Sequence, residues 1–203
     1  MNIINNPIKS DNFFKEEIKK TQIYLHHTVS SSAKGSISWW DQDGRPVAVA
    51  YVIDKDGTIY QTFDPKYWSF HLGLKYGPSK GFADKKSIGI EIVNEGGLTK
   101  ISDGNFMWND GKSKYVGKVV TLEKPWRGYQ YFAAYTDQQI NAVVELLKYL
   151  IPKFNIEKKV LESYDFNTNY ALNYTGILSH CNVREDKSDI SPAFPLLSLQ
   201  NLL

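Results

Sequence analysis

The sequence predicts a single α/β domain, and three observations carry that reading. A β-branched run at residues 47–53 (VAVAYVI) is followed by Asp56-Gly57 and a second run at 58–63 (TIYQTF), the pattern of a hairpin. Residues 87–93 (SIGIEIV) are apolar at nearly every position, as in a strand covered on both faces. Residues 136–154 repeat Ile140, Val143, Val144, Leu147, Leu150 and Ile151 at helical spacing behind a capping box, with Thr136 as N-cap and Gln139 at the third helical position. Strands and helices mix without strict alternation. No internal repeat, low-complexity linker or second domain divides residues 1–203.

The remaining elements follow in order. Residues 1–20 read as a lead-in with a short helix around 13–19. Residues 22–26 form a strand on the β-favouring Ile23 and Tyr24. Ser30, Ser31, Ser32, Lys34 and Gly35 form a loop, and residues 37–41 begin a helix or a turn bearing Trp39 and Trp40. Gly96-Gly97 closes the strand at 87–93. Residues 98–130, rich in Gly, Lys, Asn and Asp, are a hairpin insertion or a long loop over the active face; the insertion, shaping a substrate groove, is the preferred reading. Pro152 marks the end of the long helix, residues 177–179 make a short strand leading into His180, and LLSLQNLL is a terminal helix or packed tail.

Composition bounds the function. Hydrophobic residues make up 42%, enough for a proper core, while the formal net charge of +2 and the lack of any block of like charges argue against nucleic acid as partner. The one cysteine, Cys181, excludes an internal disulfide framework. No apolar run approaches the roughly 20 residues that span a bilayer, and the polar start MNIINNPIKS lacks the apolar stretch of a signal peptide. The expectation is a soluble monomer made in the cytoplasm without stable membrane association. Aromatics reach 14%, so some are available to line a sugar or peptide groove beyond those in the core.

His26, His180 and Asp189 carry the chemistry. Two imidazoles and a carboxylate make a three-ligand set for one Zn²⁺ ion, with the fourth position open for water as in hydrolytic sites. The plainer readings are a satisfied strand histidine and a solvated loop in which Asp189 pairs with Arg184 or Lys187. His26 and His27 point to opposite faces of a strand, so they do not serve one ion together. Cys181 is a competing soft ligand, although it adjoins His180 and both could reach one ion only through an unusual backbone. Glu91 is either a solvent-facing strand-end carboxylate or a half-buried base whose pKa rises toward the operating pH. Lys187 is a solvated lysine or a cation that stabilises an oxyanion. His71, among the aromatics of KYWSFHLG, belongs to a sugar- or peptide-contacting wall or to the core.

The strings YLHHT, AYVIDKDGTIYQ, WSFHLG, KSIGIEIVN and SHCNVREDKSDISPAF occur in that order over roughly residues 22–198. In this the chain resembles the zinc-dependent N-acetylmuramoyl-L-alanine amidases, a family that includes T7-type phage lysozyme, peptidoglycan recognition proteins and bacterial anhydromuramyl amidases. The resemblance implies a central mixed β-sheet flanked by helices, with a zinc cleft at one sheet face. It implies hydrolysis of the amide between the lactyl group of N-acetylmuramic acid and L-alanine of the stem peptide. It implies His26, His180 and Asp189 as zinc ligands, Glu91 as general base and Lys187 as the transition-state lysine. His71 matches the histidine of a Trp-His-Ala-Gly-like segment, and Trp40, His71 and Trp126 are candidates for the substrate wall. Four departures bear on substrate preference. Val49 stands where T7-type members carry tyrosine, with Tyr51 two residues on. Asp84 stands where many relatives carry asparagine. Asp189-Ile190-Ser191-Pro192 replaces an Asp-Pro-Gly, and 98–130 is enlarged. A phage endolysin acting on the cell wall after release is the preferred role. A non-catalytic peptidoglycan-binding module, a cytoplasmic recycling amidase, a delivered toxin effector and a zinc peptidase of unrelated fold are the alternatives.

Overall fold

The computed structural model describes residues 1–74, 81–108 and 110–203. The chain runs through β1 (Ile3–Asn5), β2 (Gln22–His27), α1 (Ala33–Asp43), β3 (Tyr51–Ile53), β4 (Ile59–Gln61), α2 (Phe82–Lys85) and β5 (Ser87–Ile92). It continues through β6 (Gly97–Ser102), β7 (Asn105–Trp108), β8 (Ser113–Tyr115), β9 (Val119–Trp126) and β10 (Tyr129–Ala133). It closes with α3 (Asp137–Phe154), α4 (Thr168–Asn173), β11 (Gly176–Ser179), α5 (His180–Val183) and α6 (Leu199–Leu202). Among the described residues no helix is long and apolar enough to cross a membrane.

The central sheet has the order β1-β4-β3-β5-β2-β11 and is mixed: β3 and β4 form the expected antiparallel hairpin, and every other neighbour is parallel. Parallel strands need both faces covered, and they are. On one face Ile23, Leu25, Ile88, Ile90 and Ile177 join Val143, Leu146, Leu147 and Leu150 of α3 in the main core. On the other, Tyr24 and Leu178 pack with Leu72, Ala83, Ala171 and Val183 from α2, α4, α5 and the segment before α2. The turn residue Gly57 has φ +83°, and a Cβ there would come within 2.8 Å of the Gln138 carbonyl oxygen, so the hairpin tip docks on the first turn of α3.

Three local expectations change. Residues 13–19 are not helical. Phe13 is extended, which lets it and Phe14 face opposite ways: Phe13 stacks on Phe63 at 4.9 Å and Phe14 on Trp68 at 4.1 Å. Aromatic burial prevails there over the helix-favouring Lys and Glu residues. The Ser-rich loop ends sooner than expected, because Ser32 caps α1 by accepting from the Gly35 N–H. Residues 47–50 lie outside β3, since Val47 bridges to Phe70 and Ala48 N–H donates to the Phe70 carbonyl.

Residues 97–133 fold as a second, antiparallel sheet of order β8-β7-β6-β10-β9, entered directly from β5 and leaving directly into α3. Its core is small: Leu98, Tyr115 and Ala133, with Phe106, Trp108, Val119 and Tyr131 partly buried around them.

The capping box forms as read. Thr136 Oγ1 accepts from Gln139 N–H (3.1 Å), Gln139 Oε1 accepts from Thr136 N–H (3.1 Å), and both side chains also donate to the sheet, at Lys55 O (2.7 Å) and Val93 O (2.7 Å). The cap therefore fixes α3 against both the hairpin and the end of β5. Thr136→Ala should lower unfolding stability by about 1–2 kcal/mol, with Thr136→Ser retaining most of it. Urea denaturation with an unchanged midpoint in Thr136→Ala would contradict this role.

Candidate active site

Three adjacent parallel strands end at one edge. His26 of β2 sits opposite Glu91 of β5, and Leu25 sits opposite Ser179 of β11, so the next residue, His180, emerges beside His26. Neighbouring strands lie about 4.8 Å apart, and sheets of this kind bind ligands outside the carboxyl ends of their strands. Strand alternation then separates the two adjacent histidines. His27 points to the α3 face, where Nδ1 meets the Tyr135 hydroxyl at 3.0 Å; His26 points to the opposite face. Asp189 comes from the segment after α5, held where its carbonyl accepts from Cys181 N–H (2.6 Å) and where Ile190 N–H donates to Ser179 Oγ (2.7 Å).

The three side chains meet. His26 Nδ1 lies 3.0 Å from His180 Nδ1 and 3.1 Å from Asp189 Oδ2, and His180 Nδ1 lies 2.9 Å from the same oxygen. All three residues are buried. The partners behind them determine where the protons are. His180 Nε2 faces the Leu72 carbonyl at 3.0 Å and so carries the hydrogen, leaving Nδ1 as a lone pair. Ser87 donates its one hydroxyl proton to the Ala83 carbonyl (2.7 Å) and therefore accepts from His71 Nε2 (2.9 Å). Neutral His71 then has a bare Nδ1, which accepts from His26 Nε2 at 3.0 Å. His26 Nδ1 is left unprotonated as well. Two nitrogen lone pairs and a carboxylate oxygen at this spacing repel one another unless a cation lies among them. Two imidazoles and one carboxylate are also a donor set of catalytic zinc. The residues fit one such ion and can hold it.

Burial, then the neighbouring His180, pushes the His26 pKa down to about 4, which keeps the ring neutral and able to ligate. Burial works to raise Asp189, but His180 and His26 together hold its carboxyl well below the usual range. Glu91 goes the other way: burial, reinforced by the charge of Asp189, pushes it well above 4.5, against the pull of Lys187. Its Oε2 is buried without a hydrogen-bond partner. A carboxyl in that state holds a proton more readily than an exposed one, as a proton acceptor beside a reacting water must. Gly89 keeps the space beside it, since a Cβ there would meet Val49 Cγ1 at 2.7 Å and His71 Cγ at 3.2 Å.

A cleft of about 580 Å³ opens over these groups, lined by Glu91, Lys187 and the three-residue cluster together with Ser36, Trp39 and Trp40 of α1. Sequence reasoning picked Trp40, which lines the cleft but is only 6% exposed; Trp39, at 53%, is the accessible ring and was not singled out. The three-residue spacing from buried Ile37 to Trp40 was the available signal for which tryptophan turns inward. Trp126 is not among the cleft-lining residues: it packs against Tyr164 (5.9 Å) and Phe132 (6.1 Å). His71 borders the cleft, but both ring nitrogens are engaged, by His26 and Ser87. Cys181 Sγ turns to Ser179 Oγ at 3.1 Å, and burial pushes its thiol up to about 11, so it stays protonated outside the cluster. Asp84, noted only as a departure, tethers the segment bearing His71 by accepting from His71 N–H (2.8 Å) and Leu72 N–H (2.9 Å).

The family model described as N-acetylmuramoyl-L-alanine amidase matches residues 17–192. Among solved structures, the N-acetylmuramoyl-L-alanine amidase LysC from Clostridium intestinale is similar at 17% identity and TM-score 0.55, covering 99% of this chain and 96% of that one. The catalytic domain of XlyA is similar at 16% identity and TM-score 0.58, covering 100% and 99%. The amidase AmiD from E. coli, in complex with anhydro-N-acetylmuramic acid-L-Ala-D-γ-Glu-L-Lys, is similar at 19% identity and TM-score 0.57, covering 93% and 59%. At these identities the structural likeness bears on the fold. A search of curated protein sequences finds no match. The family match spans most of the chain and takes in all three cluster residues, and the chain belongs to the N-acetylmuramoyl-L-alanine amidase family.

Proposed function

We propose that this chain is a zinc-dependent peptidoglycan amidase that cleaves between N-acetylmuramic acid and the L-alanine of the stem peptide, in the role of an endolysin-type lytic enzyme. The observation that carries the reading is the convergence of His26, His180 and Asp189 beside the unpartnered Glu91 carboxyl. Endolysins from Clostridium intestinale and Bacillus subtilis are among the similar folds and support the lytic role. We read the protein as a monomer acting on the wall after release, with the 98–130 insertion shaping the substrate groove.

His26, His180 and Asp189 would hold the zinc, which when bound supplies Lewis-acid polarisation and acidifies a water. Glu91 accepts the proton of the attacking water on its unpartnered oxygen and then delivers it to the leaving alanine nitrogen, so that one carboxyl serves as base and acid. Lys187, which also lines the cleft, holds the oxygen that gains negative charge. Trp39 offers an exposed face to the sugar, with Trp40 beneath as its support. His71 acts as a positioning residue through His26.

Digestion of purified sacculi with the zinc-loaded protein should release peptides that begin with L-alanine, read by mass spectrometry. A chelator should abolish release and added zinc should restore it; products cut elsewhere in the wall would contradict the reading. Glu91→Gln should keep its zinc while turnover falls about 10²–10⁴-fold, and undiminished turnover would remove Glu91 from the mechanism. The same variant should gain stability in the metal-free protein. Because the folded-state pKa of Glu91 is raised, the wild type loses stability as pH rises from the ordinary carboxylate value of 4.5 through the folded-state value. The advantage of Glu91→Gln should therefore grow across that window and shrink below it, as measured by denaturation at several pH values. A constant difference would contradict the burial argument. Ser87→Ala and His71→Phe should each weaken zinc binding by about 10–100-fold in a chelator competition, while His71→Asn, which retains an acceptor, should recover part of the loss. Unaltered affinity in His71→Phe would remove the hydrogen-bonded chain from the account of the site.

A further inference from the structure

The insertion sheet reaches the segment after β11 through one hairpin. β9 and β10 are joined by the two-residue turn Arg127-Gly128, with Trp126 paired to Tyr129 across it. Arg127 has φ +48° and Gly128 φ +84°, so both turn residues are left-handed, the pattern of a type I′ turn. Asparagine and glycine suit the first of these positions; arginine does not, because its Cβ crowds the backbone there. A disfavoured residue kept in a strained conformation points to a role beyond the turn itself. The Arg127 guanidinium lies over the Trp126 ring at 5.1 Å and extends out of the hairpin, where Nη2 donates to the Cys181 carbonyl at 3.2 Å. The tip is seated there by Trp126, which packs edge-on against Tyr164 at 5.9 Å, while the Tyr164 hydroxyl donates to the Phe194 carbonyl at 2.6 Å.

The carbonyl that Arg127 meets is one that α5 cannot satisfy by itself. A single-turn helix leaves its carbonyls without intrahelical donors, and in α5 separate groups answer them. Arg184 N–H donates to the His180 carbonyl (3.2 Å), Asn167 N–H to that of Asn182 (3.0 Å) and the Thr168 hydroxyl to that of Val183 (3.0 Å). Among the described residues, Arg127 supplies the donor to Cys181. Cys181 is fully buried, and a buried carbonyl left without a donor is costly. Cys181 also joins two of the candidate ligands. It follows His180 directly, and its N–H donates to the Asp189 carbonyl at 2.6 Å. A shift of Cys181 therefore disturbs His180 Nδ1 and Asp189 Oδ2, which lie 2.9 Å apart. A group that fixes such a segment acts on a bound metal without touching it.

We propose that Arg127 is a positioning residue for the metal site, and that the insertion hairpin braces the segment carrying His180 and Asp189. The proposal rests on the zinc-amidase reading above. Arg127→Asn is the informative variant, because asparagine suits the left-handed turn but cannot reach Cys181. Its zinc affinity should fall about tenfold in a chelator competition. Arg127→Lys, which keeps a donor on a long side chain, should recover part of the loss. In the metal-free protein, amide hydrogen exchange at Cys181 and Ile190 should quicken in Arg127→Asn, while exchange in β9 and β10 stays as it was. Unaltered zinc affinity, or unaltered exchange at Cys181, overturns the brace. Faster exchange throughout β9 and β10 also overturns it, since the variant would then have loosened the hairpin itself. Cleavage of sacculi by the unmodified protein, measured alongside, separates the two claims. Cleavage at the expected amide with unaltered affinity in Arg127→Asn overturns the brace alone. Cleavage elsewhere in the wall, with affinity lost in Arg127→Asn and partly restored in Arg127→Lys, supports the brace and overturns the amidase reading. An unmodified protein that binds no zinc overturns both.

Discussion

The site depends on the parallel register of three strands. β11, β2 and β5 end together, and only in the observed pairing do His26, Glu91 and His180 share one edge. A slip of one residue would turn His26 toward α3 and present His27 in its place. The apolar residues on either side oppose that slip, because Ile23, Leu25, Ile88 and Ile90 would exchange a packed core for the face of Tyr24 and Leu178. The chemistry is thus fixed by hydrophobic burial some distance from it. The cap on α3 contributes from the same side, since Gln139 ties the helix to Val93 just past Glu91.

The groups brought together this way are costly to bury. Glu91 Oε2 and Asp84 Oδ2 lack partners, and the His26, His180 and Asp189 donors crowd one point. Sites kept against stability in this way are where function resides. What offsets the cost is a set of hydrogen bonds to rigid backbone: His180 to Leu72, Ser87 to Ala83, Asp84 to the His71 and Leu72 amides, and Ile190 to Ser179. These partners also hold each imidazole in one tautomer. The two sheets divide the labour. The central sheet carries the groups proposed to react, and the antiparallel insertion bounds a neighbouring pocket through Trp108 and Tyr129.

Much of this was legible in residues alone, for identifiable reasons. The hairpin at Asp56-Gly57, the strand SIGIEIV and the capped helix combine strong local chemistry with the correct period, and all three form. The ligand candidates stood out because two imidazoles and a carboxylate are a zinc donor set, and His180 and Asp189 lie nine residues apart in one polar segment. The insertion strands were hidden because few of their residues are fully buried, and in β6 and β9 exposed positions run together, so neither alternation nor an apolar run marks them. The extended segment at Phe13 and Phe14 was hidden because its partners, Phe63 and Trp68, lie some fifty residues away in sequence. The positioning role proposed for His71 was unreadable for the same reason: it depends on Ser87 and His26 meeting in space.

X-ray absorption of the zinc-loaded protein addresses the central claim most directly, because it reads the atoms around the ion without relying on activity. The account predicts one tightly bound zinc per chain with two imidazole rings, oxygen in the remaining positions and no sulfur. A sulfur neighbour, which only Cys181 or a methionine could supply, or a protein that retains no zinc, would contradict it.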